Sequence, residues 1–301
     1  MQSELLGMVF ALGSAVSVAG SRSVLSRPLI RADPAAASFF SIATGFGILL
    51  AMEFFEGQTP ALLYLSPTIL IIFVVVGLIH HGFARQLFFV GTKELGANIS
   101  APVIAVAQVL VALILALVIL GEAITPVIAA GAALILFGVA VMEGHAAAAK
   151  RGGSSRRGYA SSVGNGLVTG FTPILVAYGL SAYPFVNTAL LIAYGGACIY
   201  YLVLLGPGKL VSFVKGLQRG PLALFLASSV LAVTSMSLRY VALIDAPVVL
   251  VAPVLTSQVM FTPFMTARLS KEYEVFTGRT LSGIVICTVG LFVLSLYGFG
   301  V

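Results

Sequence analysis

The chain has 301 residues, of which 59% are hydrophobic and 9% charged, and its mean hydropathy is +1.11. Soluble domains carry about 25% charged residues, so this chain cannot cover a water-facing surface and reads as an integral membrane protein. Its net charge of +6 does not point to nucleic acid, because the basic residues sit in short connections and not along one stripe. The two cysteines, Cys198 and Cys287, both fall inside apolar segments and form neither a disulfide framework nor a metal-binding CxxC pair.

In chain order, apolar runs fall at roughly 4–22, 35–55, 66–92, 97–120, 124–143, 159–180, 184–205, 220–243, 247–268 and 278–298, each near the ~20 residues that cross a bilayer as helix. They are solid runs without alternation, which excludes a membrane barrel. The N-terminus shows no cleavable signal pattern, and no soluble domain is expected before or after the apolar core. Residues 144–158 read as a basic, flexible linker, with a run of alanines followed by Lys150-Arg151-Gly152-Gly153-Ser154-Ser155-Arg156-Arg157. The linker divides the chain into a first repeat over 1–143 and a second over 159–301, with five spans in each. The predicted fold is therefore an all-α integral membrane protein of ten transmembrane helices. An odd number of crossings per half makes it two inverted five-helix repeats.

The repeat is visible in the residues themselves. Leu87-Phe88-Phe89-Val90 leads to Ala101-Pro102-Val103, and Leu238-Arg239-Tyr240-Val241 leads to Ala252-Pro253-Val254. The prolines lie 151 apart (102 to 253) and the glutamates that follow lie 152 apart (122 to 274), so one inserted residue separates the two copies. Gly131 and Gly138 recur as Gly283 and Gly290, two helical turns apart in each copy, where small residues let helices approach closely. Glu122 and Glu274 sit at helix junctions, each with a threonine three residues on, Thr125 and Thr277. There they read as structural caps rather than substrate contacts.

The stretch Leu120-Gly121-Glu122-Ala123-Ile124-Thr125, followed by Gly131 and Leu134-Ile135-Leu136-Phe137-Gly138-Val139, resembles the EamA family of the drug/metabolite transporter superfamily. The resemblance implies a ten-span transporter that exports or exchanges small metabolites, with no cofactor. The chain departs from the family in having no Trp, hence no Trp-Gly pair in the first helix. That helix also lacks a central Glu, the group that couples protons in the related small multidrug resistance proteins.

Polar residues at mid-membrane depth carry the candidate substrate site. His80 and His81 fall near the centre of the third span. Arg85 lies four residues past His81 on the same helical face. An uncompensated arginine in hydrocarbon costs at least ~2.5 kcal/mol. Arg85 therefore faces a wet cavity or an acid, or snorkels to the interface, and the sequence leaves these open. Gln108 on the fourth span and Gln258 on the ninth are costly to leave unpaired. Thr169 and Thr172 share a face of the sixth span with Asn165, and Ser235 lies on the eighth. No Asp or Glu falls mid-span, so the lining suits an anionic or zwitterionic metabolite, of amino acid or organic anion class, better than a cationic drug.

These features predict a secondary transporter working by alternating access. A membrane enzyme or a non-transporting receptor is the opposing reading. An enzyme needs a converging acid, base or metal constellation, and adjacent histidines on one helix point about 100° apart, a poor metal site. The expected partners are a small-molecule substrate and the lipid bilayer, with no nucleic acid and no metal; a homodimer stays open. Every Lys and Arg except Arg85 and Arg239 falls in an odd-numbered connection. Cytoplasmic loops collect such residues, so a plasma-membrane protein with both termini outside is expected. Many relatives of this family instead resemble an arrangement with both termini inside.

Overall fold

A computed structural model describes residues 2–29, 32–56, 65–95, 97–149, 156–216, 219–269 and 278–298. Its helices are α1 (Gln2–Leu29), α2 (Pro34–Glu56), α3 (Pro67–Val76), α4 (Arg85–Leu95), α5 (Ala97–Leu115), α6 (Pro126–Ala149) and α7 (Arg156–Ala182) in the first stretch of the chain. There follow α8 (Val186–Leu205), α9 (Pro207–Gly216), α10 (Arg219–Asp245), α11 (Val248–Thr256), α12 (Gln258–Leu269) and α13 (Gly278–Gly298). Two π-helical segments, Gly77–Ala84 and Ala116–Leu120, join α3 to α4 and extend α5. Among the described residues there is no strand, and the protein is an all-α, multi-pass membrane protein. By length and composition, 8 helices among the described residues are long and apolar enough to cross a membrane, and two shorter apolar stretches lie at Pro126–Val141 and Leu281–Leu294.

The helix ends differ from the expected ones where polar residues are carried into the bundle. The apolar run predicts a first helix that stops near residue 22, but α1 runs to Leu29 and takes Arg22 and Arg27 out of the first connection. Helix α6 continues to Ala149 and α7 begins at Arg156, so much of the expected 144–158 linker is helical. Residues 150–155 lie outside the described residues, as do Glu274 and Thr277 of the second motif copy.

Close helix pairs are made by small residues. Helices α6 and α13 run against each other with Gly131 facing Gly290 and Gly138 facing Gly283. A Cβ on Gly138 would come within 2.7 Å of the Gly283 carbonyl. Helices α1 and α10 are joined by two serine pairs. Ser14 Oγ donates to the Ser235 carbonyl at 2.8 Å and Ser235 Oγ donates back to the Ser14 carbonyl at 2.9 Å. Ser21 and Ser228 repeat this exchange two turns along, at 2.8 and 3.1 Å. Interhelical hydrogen bonds of this kind contribute about 0.6 kcal/mol each in membrane proteins.

The Leu-Gly-Glu motif is a turn with a long reach. Gly121 has φ +67°, a left-handed conformation that ends the π-helical segment and that side chains other than glycine adopt at a cost. The turn aims Glu122 away from its own helix. Its carboxylate accepts the amides of Val248 at 3.0 Å and Val249 at 2.8 Å, at the start of α11. The capping role expected of Glu122 is present, but on a helix of the other half of the chain. Thr125 caps α6 itself, accepting the Ile128 amide at 3.3 Å.

Candidate functional site

The third span brings its polar residues inward through a π-helical turn. Gly77 packs so tightly on the backbone of α8 that a Cβ would land on the Ala193 carbonyl, and Gly82 lies against the Tyr200 ring. Between these glycines the helix widens, which stacks residues five apart where an α-helix stacks residues four apart. His80 and Arg85 thereby join His81 on the inner face. Carbonyls of the widened turn are satisfied from neighbouring helices: Asn165 Nδ2 donates to Ala84 at 2.6 Å and the Tyr201 hydroxyl donates to Gly82 at 2.8 Å.

The ninth span is broken at the same depth. Helix α11 ends at Thr256 and α12 begins at Gln258, with Ser257 as a single turn residue between them. Pro253 lies inside α11 and removes one backbone donor. Thr256 and Ser257 hydroxyls turn back to the carbonyls of Pro253 and Val254, at 2.6 and 2.7 Å. The break presents Gln258 at the start of a new helix, an arrangement tolerated in a membrane only where backbone lines protein or a wet space.

These elements enclose a cavity of about 70 Å³. It has room for several waters or one small ion, and is well under the ~300 Å³ of a drug-sized pocket. Of the eight residues expected in the site, His80, His81, Arg85, Gln108, Thr169 and Gln258 line it. Thr172 lies just outside, its hydroxyl 2.6 Å from His80 Nδ1. The same hydroxyl reaches the Thr169 carbonyl at 3.3 Å, the acceptor that Pro173 leaves without its backbone donor. Ser235 is a correction to the expectation. It is fully buried against Ser14 and faces α1, because its hydroxyl is committed to the helix pair described above.

Sequence reasoning missed two arginines. The sequence puts Arg22 in the first connection and Arg239 inside the eighth span with no role, yet both line the cavity, at 6% and 5% exposure. The usable signal for Arg239 was its place in the repeat, at the position matching Phe88. For Arg22 it was the short distance from the last apolar residues of α1. Arg85 is not a snorkelling residue: its Nη2 donates to Ser41 Oγ at 2.6 Å inside the bundle. The guanidiniums of Arg22 and Arg85 also lie over the rings of Phe88 and Phe89, 4.9 and 5.5 Å from the centroids.

Three guanidiniums thus meet in one small space. No carboxylate lines it among the described residues. The acids are placed elsewhere: Glu53 accepts from Thr188 at 2.9 Å, Glu94 lies 3.6 Å from Arg157, and Glu122 caps α11. The two cation–π contacts give about 0.5–2 kcal/mol each and the Arg85–Ser41 bond, whose donor is charged, about 1.5–3 kcal/mol, less than the cost of three charges at ~2.5 kcal/mol or more each. Donor atoms also lack partners among the described residues: Arg22 Nε and Nη1, Arg85 Nε, Arg239 Nε and Gln108 Nε2. Unpaired donors around an excess of positive charge are the chemistry of an anion site.

Beside the cavity, Leu25, Phe89 and Phe225 form an apolar cluster, with Phe88, which also lines the cavity, packed against it. A separate space of about 10 Å³ lies between Val76, Val176, Tyr240 and Leu243 and shares His80 and Arg239 with the cavity.

The EamA-like transporter family profile matches residues 5–143. Over these residues the chain matches the EamA family. The family is one of membrane transporters of the drug/metabolite type. The EamA-matched half supplies Arg22, His80, His81, Arg85 and Gln108, while Thr169, Arg239 and Gln258 come from the other half. A solved structure, the crystal structure of a protein 14% identical to this chain, aligns with a TM-score of 0.73 over 95% of this chain and 96% of its own length. At that identity the likeness concerns the fold alone. No curated protein matches the chain.

Proposed function

We propose that this protein is a secondary transporter of a small organic anion or anionic amino acid across the plasma membrane. It binds its substrate in the arginine-lined cavity and works by alternating access. The observation that carries the reading is the meeting of Arg22, Arg85 and Arg239 in a space without a carboxylate among the described residues. The cavity is lined from both halves of the chain, as expected where two repeats rock about a central site.

The inverted five-helix repeat belongs to the same reading. Helix α1 packs on α10 and on α11–α12, while α7 packs on α3–α4 and on α5. Exchanging the halves turns the first set of neighbours into the second, and pairs α6 with α13 and α2 with α8. Thermal stabilisation of the purified protein by a panel of amino acids, organic anions, sugars and cationic drugs tests the substrate class. Anions are expected to raise Tm, and Arg85→Gln to weaken that effect. Stabilisation by neutral or cationic compounds alone would refute the reading.

A further inference from the structure

We propose that the protein is an obligate exchanger: its cavity closes around an anion of at least two negative charges and does not cross the membrane empty. The inference rests on the cavity being the transport site. Arg22, Arg85 and Arg239 enter it from three separate helices, and a guanidinium keeps its charge in proteins. No acid among the described residues lines the space to act as counter-ion once a substrate has left.

While the cavity is open to one side, water solvates the three charges. Alternating access requires a state shut on both sides. Shutting it empty carries three like charges into a low-dielectric interior, where desolvation is costly and their mutual repulsion grows. A dianion cancels two of the three charges and accepts hydrogen bonds from the unpaired Nε and Nη atoms of the arginines. A monoanion leaves two charges uncancelled. A carrier able to return empty needs an internal acid that pairs with the arginines in the substrate's place, and none of the described carboxylates lines the cavity: Glu53, Glu94 and Glu122 contact Thr188, Arg157 and the start of α11, and Asp33 accepts from the Ala36 amide.

The test is uptake of labelled inorganic phosphate and labelled succinate at pH 8 into liposomes holding the full chain. Three interiors are compared: chloride alone, the same dianion unlabelled, and lactate. Uptake into dianion-loaded vesicles is expected to exceed that into chloride- or lactate-loaded vesicles by at least about tenfold. Equal uptake with and without internal dianion would overturn obligate exchange and leave the anion-transport reading intact. Lactate serving as well as the dianion would overturn the charge requirement. No uptake of either probe under any condition would overturn the anion reading and the exchange with it. Arg239→Gln, or Arg22→Gln where the first variant does not fold, is expected to lower the loaded-to-empty ratio severalfold. An unchanged ratio in a folded variant would remove the charge argument.

Discussion

Glu122 accepts the backbone amide of Val248 at 3.0 Å, across 126 residues of chain, and so ties the turn after α5 to the start of α11. A second bond, from the Val249 amide at 2.8 Å, makes the contact bidentate. Charge-assisted bonds to free amides at a helix start are worth about 1–3 kcal/mol together. Glu122→Ala is therefore expected to lower stability by that amount, with Glu122→Gln recovering part of it. Thr125→Ala, which touches only its own helix, should cost about 1 kcal/mol or less. Chemical denaturation in detergent measures all three. A larger loss for Thr125→Ala than for Glu122→Ala would show that the motif serves α6 and not the link between halves.

Much of this arrangement is legible in the sequence, and the illegible part has physical causes. Composition fixes the lipid solvent, and the glycine repeat at 131, 138, 283 and 290 marks the α6–α13 contact. The sequence places His81, Arg85, Gln108 and Gln258 away from lipid because polar groups at mid-span are too costly to leave facing it, and all four line the cavity. Arg22 is missed because a helix end near a basic cluster looks like the edge of a loop, and only packing on Phe88 fixes it inside. Ser235 is misplaced because a serine carries no sign of whether it faces a cavity or a neighbouring helix. The π-helical turn at Gly77–Ala84 is invisible to an α-helical count of faces, since it arises from how closely α8 approaches.

That approach gives a sharp contrast between two glycines. A Cβ at Gly77 meets the Ala193 backbone, whereas at Gly47 in α2 nothing lies within 4 Å. Gly77→Ala must push α8 away or straighten the widened turn, so it should impair folding, or turn His80 and Arg85 out of the cavity and abolish anion stabilisation. Gly47→Ala removes a helix-interior glycine at no steric cost and should leave stability unchanged or raise it by up to about 1 kcal/mol. Thermal unfolding with and without added anion separates these outcomes, and equal behaviour of the two variants would count against the close contact.

The serine pairs carry a different expectation. If Ser235 holds α1 to α10 and does not touch substrate, Ser235→Ala should cost about 0.6 kcal/mol of stability and leave anion affinity unchanged. Ser14→Ala should cost a similar amount, and the double variant about the sum, because each hydroxyl donates to the other residue's backbone carbonyl, which the single changes leave in place. A marked loss of anion affinity on Ser235→Ala alone would return this residue to the substrate site.

Orientation in the membrane is expected to follow the charge of the connections, since the inverted repeat proposed above would pack equally well either way up. Removing Arg22 to the cavity and Arg27 to α1 thins the first connection but does not reverse the bias. Lys93 donates to the Ala32 carbonyl at 2.8 Å and Arg157 lies 3.6 Å from Glu94, which gathers the first, third and fifth connections at one end of the bundle. Lys209 and Lys215 of the short α9 helix and Arg219 at the start of α10 belong to the seventh connection, another odd one. The even connections hold no Lys or Arg, reading Glu53-Phe54-Phe55-Glu56 at the close of α2 and Gly121-Glu122 after α5. Basic ends face the cytoplasm, so both termini are expected outside, against the arrangement that the family resemblance implies. In a bacterial host, a C-terminal alkaline phosphatase fusion should be active and a green fluorescent fusion dark. A fluorescent fusion with inactive phosphatase would turn the protein over, leaving the three arginines and their cavity where they are.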